Sequence, residues 1–130
     1  MFIKDLTSNI YFSTRRVIRK IKNVFRWLPI IWRDENWDHY YIYEVLKWKI
    51  QFMSEAIRKN GIHVCAEYNA DRMMLAVRLI EKVQNEDYLM ELIDVDEITK
   101  EQIEKGIAKH DKAKRILFKL LENYSERWWD

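Results

Sequence analysis

Glycine and proline occupy only three of the 130 positions in this chain, Gly61, Gly106 and Pro29. Tight hairpins and β-sandwiches need turn residues at regular intervals, and so few breakers do not supply them. Leu, Ile, Lys, Glu, Arg and Met, which tolerate helical geometry well, are abundant, so an all-α fold is expected. The length suits one domain with a single hydrophobic core. The architecture read from these constraints is a helical bundle of about four helices, forming one domain over residues 1–130.

The apolar spacing locates the helices. Residues 1–12 read as an arm without clear structure. From Ser13 or Thr14, a good N-cap, Val17, Ile18, Ile21, Val24, Phe25 and Leu28 recur at helical intervals, which predicts a basic amphipathic helix over about 13–28. Pro29 is expected to end it. A second helix is predicted from about residue 35 to 60, stopped by Asn60-Gly61. It is apolar around most of its circumference and so is expected to be central. A third helix is read from Asn69, as its cap, to Asn85. The segment 86–97 is acidic and reads as a short helix or an ordered loop. A long C-terminal helix is predicted over about 99–128, where Thr99 and Gln102 have capping-box spacing and Gly106 is a point of bending or division. Ile62 to Ala66 reads as a short extended piece.

Charge is distributed unevenly. Residues 1–33 carry eight basic side chains against Asp5 alone, for +7, and residues 34–130 carry fifteen basic and twenty acidic groups, for −5, which together give the net +2. The basic helix therefore points to an anionic contact. A membrane surface suits its charge and amphipathicity, with Trp27 at headgroup level. Nucleic acid suits the charge, although no recognised nucleic-acid-binding motif accompanies it. The simplest alternative is a solvated helix packed on the bundle. No run is long and apolar enough to span a bilayer, and no secretory signal pattern is present. Cys65 is the only cysteine, which excludes an intrachain disulfide and a cysteine cage for metal. A reducing, intracellular setting is expected.

Chemistry-bearing constellations are sparse. His110-Asp111 resembles half of a metal-binding dyad of phosphohydrolases, but the other histidines are only His39 and His63. His110 falls on the buried stripe between Ile107 and Ala113, where a hydrogen-bonded core histidine is the plainer reading. Glu101-Gln-Ile-Glu104 lacks a second half for magnesium binding, and Cys65 beside His63 is poorly placed for nucleophilic chemistry. No P-loop, nucleophile elbow or His-Glu-x-x-His is present. No enzyme activity, cofactor or metal is expected.

The densest aromatic and charged segment is 32–43. Asp34, Glu35 and Asp38 occupy a helix start, where the macrodipole favours carboxylates, and the rings read as core. Alternatively Trp37, Tyr40, Tyr41 and Trp48 line a stacking surface, with Arg33, Lys47 or Lys49 within reach of a phosphate. The terminal Trp128-Trp129-Asp130 is expected to dock, on segment 32–43 or on a second subunit, with Arg72, Arg78 or Arg115 meeting the carboxylates.

Leu28-Pro-Ile-Ile-Trp-Arg-Asp34, Trp37-Asp38, Tyr40-Tyr41, Glu86-Asp87-Tyr88, Leu117-Phe118-Lys119-Leu120-Leu121 and Trp128-Trp129-Asp130 together resemble a group of small proteins encoded by tailed bacteriophages. The likeness runs from about residue 24 to the end. It implies a viral source and transfers no catalytic residue. Small phage proteins of this kind often act by binding, so the resemblance implies a non-enzymatic, homo-oligomeric phage protein in the host cytoplasm. The expected ligand is a small anionic nucleotide-derived immune signal, held as by a counter-defence sponge. In that reading Trp37, Tyr40, Tyr41 and Trp129 offer ring faces, Arg33, Arg72 and Arg78 meet phosphates, and Asp38 accepts from a ribose or base. The alternatives are an interaction module that inhibits a host protein and a metal-dependent phosphohydrolase using His110 and Asp111.

Overall fold

The computed structural model of the chain describes residues 2–35, 39–61, 64–93 and 96–128. Five α-helices follow in order: α1 (Phe2–Ile31), α2 (Tyr40–Asn60), α3 (Ala66–Gln84), α4 (Asp87–Met90) and α5 (Lys100–Tyr124), with a closing 3-10 turn at Ser125–Arg127. No strand occurs among the described residues, so the fold is all-α, as the scarcity of turn residues dictates. The chain divides into two compact units, 1–38 and 39–130. The short extended piece expected near residue 62 lies partly outside the described residues, and Val64 and Cys65 form a turn that leads straight into α3.

The first unit is essentially α1. It begins well before the expected N-cap because Thr14 does not cap. Its hydroxyl donates instead to the carbonyl of Ile10 at 2.8 Å, one turn back inside a continuing helix. Nor does Pro29 stop the helix. Proline forfeits its N–H bond and its ring crowds the preceding turn, yet the ladder resumes beyond it, with Trp32 N–H on the Leu28 carbonyl at 3.0 Å.

The second unit is a bundle in which α3 packs against α2, α5 and α4. The sequence singles out the second helix as central, yet α3 holds that position. The reason is side-chain size. Ala66, Ala70 and Ala76 are buried along α3 and let neighbours approach closely, whereas α2 keeps Ile42 and Val45 exposed on its outer side. The core joins Ile50 and Ile57 of α2, Met73, Val77 and Ile80 of α3, Leu117 of α5 and Trp128. Burying each large apolar side chain stabilises the fold by about 1.5–3 kcal/mol.

Local signals set the ends of these helices. Gly61 adopts a left-handed conformation (φ 46°), and its N–H closes α2 on the Ile57 carbonyl at 2.9 Å. The capping box at α5 is formed: Thr99 Oγ1 accepts from Gln102 N–H at 3.3 Å, and Gln102 Oε1 accepts from Thr99 N–H at 2.8 Å. Gly106 does not divide α5, which runs unbroken from Lys100 to Tyr124. Gly106 is buried against α4, where an added Cβ would lie 3.1 Å from the Tyr88 carbonyl oxygen and 3.1 Å from Leu89 Cδ2. A glycine is needed there for close approach, not for flexibility.

Candidate functional site

α1 carries the most one-sided surface. Along it Ile10, Val17, Ile21, Val24, Leu28 and Ile31 follow one another at intervals of three, four or seven residues, so they share a stripe. Tyr11, Ile18 and Phe25 form a second row beside it, one residue later in each heptad. All of these side chains are exposed, Phe25 at 70% and Ile10 at 60%. Arg15, Arg16, Arg19, Lys20, Lys22 and Arg26 share the remaining arc with Phe12, Trp27 and Ile30. No acid lies between Asp5 and Asp34, so the positive face is unbroken. At the border of the two arcs the Arg15 guanidinium stands 4.9 Å from the centre of the Tyr11 ring. Further on, Arg15, Arg19 and Lys22 surround Ile18 in a shallow basin of about 350 Å³.

The second unit places the expected aromatic site residues in a different setting. Tyr40 and Tyr41 open α2 with their rings edge to face, 5.7 Å apart. Next to them Glu44 accepts from Trp48 Nε1 at 2.7 Å, from Gln84 Nε2 at 2.6 Å and from Lys47 Nζ at 2.9 Å. Burial alone would raise the Glu44 pKa, but the hydrogen bonds from Lys47, Gln84 and Trp48 outweigh it and hold the carboxyl below its ordinary range. Lys47 and Trp48, expected at a stacking surface, thus serve a knot tying the start of α2 to the end of α3. Gln84 completes it with a bond to the Tyr40 carbonyl at 3.3 Å.

Arg72 lies twelve residues before Gln84 on α3, about 18 Å away along the helix axis. Its guanidinium is clasped between the rings of Tyr68 at 4.7 Å and Tyr124 at 4.0 Å. Hydrogen bonding with Tyr124 and Tyr68 raises the Arg72 pKa, and the same contact lowers that of the Tyr124 phenol. Arg78 is exposed, and its position six residues further along puts it roughly a third of the way round the helix from Arg72. Tyr40 and Tyr41 are therefore not brought to Arg72. Arg33 is exposed in the turn after α1, within the first unit. Trp37, Asp38 and Trp129 lie outside the described residues.

The terminal indole that is described docks elsewhere than expected. Trp128 is 2% exposed, in the core with Met73 and Ile57, and its carbonyl accepts from Asn69 Nδ2 at 3.4 Å. Asn69 is thereby a buried interior residue of α3 and not its cap. His110 is half-buried, and among the described residues its Nδ1 finds no hydrogen-bond partner, nor does Trp128 Nε1. Groups of three His, Cys, Asp or Glu side chains positioned to hold a metal ion are not found among the described residues. Sequence reasoning passed over Tyr68, Tyr124, Gln84 and the first third of α1. Only the last left a signal, since Ile10 and Tyr11 stand one heptad before Val17 and Ile18.

Comparison with family models, with curated proteins and with solved structures found no match for this chain.

Proposed function

We propose that this protein works by binding an anionic partner without turning it over, with α1 as the binding element and residues 39–130 as a separate folded unit. One observation carries this reading: six cations between Arg15 and Arg26 line one exposed helix that holds no acid after Asp5. Such a helix raises the local concentration of anions and accelerates their encounter. The expectation of a bound anion is kept, but its contact moves from the aromatic segment to α1, because Arg72 is already engaged by two tyrosines and Lys47 by Glu44. The short motifs resembling tailed-phage proteins support the same class of action, occupation of a host target instead of catalysis.

The test is a binding titration of the full chain with heparin, a short RNA, inorganic polyphosphate and vesicles containing anionic lipid, at about 50 mM and about 300 mM salt. At least one of these polyanions should bind, and binding should weaken at the higher salt. The Arg15→Glu/Arg19→Glu/Lys22→Glu variant should lose that binding while keeping its helical circular dichroism. Failure to bind any of the four at low salt would refute the proposal.

A further inference from the structure

The cationic arc is half of α1; the other half is ten exposed apolar side chains counting Trp32 just beyond the helix: Ile10, Tyr11, Val17, Ile18, Ile21, Val24, Phe25, Leu28, Ile31 and Trp32. We infer that α1 lies in the plane of an anionic lipid surface, its apolar stripe in the headgroup–acyl boundary and its arginines and lysines on the phosphates. This inference rests on the anionic-partner reading and names the partner.

Both faces decide the matter together. A nucleic acid or a soluble polyphosphate would satisfy the cations and leave the apolar stripe in water. A second copy of α1 would cover the stripe, since Ile10, Val17, Ile21, Val24, Leu28 and Ile31 have the three-four spacing of a coiled coil. In that pairing, however, one flank would carry Tyr11, Ile18 and Phe25 and the other Ser13, Lys20 and Trp27, and with no acid from residue 6 to 33 neither flank offers the opposite charges that pair coiled-coil partners. The stripe is also too wide for a two-stranded seam. Tyr11, Ile18 and Phe25 extend it to about 160° of the helix circumference at 100° per residue. A wide apolar arc, an opposite arc whose charges beyond Asp5 are all basic (though Phe12, Trp27 and Ile30 also lie on it) and low mean hydropathy fit helices that lie in a membrane interface.

Details of placement agree. Tyr11 and Phe25 sit on the edge of the stripe nearest Arg15 and Lys22, where amphipathic rings and long basic side chains meet the headgroups. Trp32, 78% exposed, continues that edge just beyond the helix. The thirty residues of α1 extend about 45 Å, long enough to engage several lipid headgroups at once. No helix among the described residues is long and apolar enough to cross a bilayer, so α1 is suited to the surface and not to a span.

Vesicle flotation of the full-length protein tests this, comparing phosphatidylcholine vesicles with vesicles containing about a third phosphatidylserine. Binding is expected on the anionic vesicles and at least about tenfold weaker on the neutral ones. Arg15→Glu/Arg19→Glu/Lys22→Glu should weaken vesicle binding by about a hundredfold or more, given the contribution of each cation near such a surface. Ile21→Asp/Phe25→Asp should abolish vesicle binding yet leave heparin or RNA binding in place. Both variants should keep the unfolding transition of the parent. A fluorescent label introduced by Ile21→Cys in a Cys65→Ser background should shift to the blue on vesicles, whereas the same label at Asn23→Cys should not.

If the protein binds heparin or RNA but not anionic vesicles, the lipid assignment falls and the anionic-partner reading stands. If it binds no polyanion, both fall. Vesicle binding that tolerates Ile21→Asp/Phe25→Asp, or equal label shifts at 21 and 23, would overturn the in-plane helix.

Discussion

α1 and α3 show how far one hydrophobic period leads and where it stops. Both have apolar side chains at intervals of three and four, and either would be predicted to bury a face. In α3 that face is enclosed: Met73, Ala76 and Ile80 have no accessible surface. In α1 the equivalent stripe remains exposed along its length. The difference lies in residue size and in the opposite face. α3 sets Ala66, Ala70 and Ala76 among its larger side chains, so that α2 and α5 can approach it closely. α1 contains no alanine and no glycine, its stripe is built from large aliphatic and aromatic residues, and beyond Asp5 the charges on its other face are all basic. Periodicity says that an apolar face exists; the size of its residues and the charge behind it say what the face is for.

The sharpest way to break this comparison is to truncate both stripes. Ile80→Ala should lower the free energy of unfolding by about 2–5 kcal/mol, because the cavity left behind collapses only in part. Ile21→Ala should change it by less than about 0.5 kcal/mol, as expected of an exposed side chain. Denaturant titrations of the two variants would show it, and a large loss for Ile21→Ala would mean that the stripe of α1 is structural.

A smaller effect sharpens the argument about close approach. Gly106→Ala should raise helix propensity by about 1 kcal/mol but force the Tyr88 carbonyl and Leu89 away from α5, for a net loss of about 1 kcal/mol. A lowered denaturation midpoint supports the packing role of this glycine, and a raised one would show that α4 yields freely.

An effect of comparable size, but dependent on pH, concerns the knot at the start of α2. Glu44 has a lowered pKa in the folded state, so its contribution is present above the ordinary glutamate range and is lost as pH falls through the folded-state value. Glu44→Gln should reduce stability by about 1 kcal/mol near neutral pH, through the loss of charge-assisted hydrogen bonds. The difference between parent and variant should shrink towards zero as the pH falls through and below the ordinary glutamate range. Unfolding midpoints at several pH values give the comparison, and a gap that widens in acid would contradict the assignment.

Much of the fold is legible residue by residue. Asn60-Gly61 marks a helix end because only a residue at ease in the left-handed region closes α2 there, and Thr99 with Gln102 marks a start because both side chains reach the orphaned N–H groups. The misread polar residues are those with two local or distant choices. Thr14 has a hydroxyl that caps a helix or bonds back within one, and Asn69 has an amide whose partner, the Trp128 carbonyl, is 59 residues away. Pro29 withdraws one hydrogen bond, which ends a helix only where nothing beyond it continues the ladder. Residue type and spacing mark Arg72 and Lys47 as cations for a phosphate, and neither reveals that Arg72 is shared by two tyrosines or that Lys47 is held by Glu44.

By itself the sequence determined that the chain is helical, where α2 ends and α5 begins, and that positive charge gathers at its N-terminal end. These follow from backbone preferences and from charges fixed by residue identity, which act over a few neighbouring positions. Only the tertiary structure decided that α3 is the central helix of its unit, that Trp128 belongs to the core, and that the stripe of α1 stays exposed. Those outcomes depend on which surfaces fit together across long separations in the chain, and fit is a property of shapes in space that spacing along the chain does not encode.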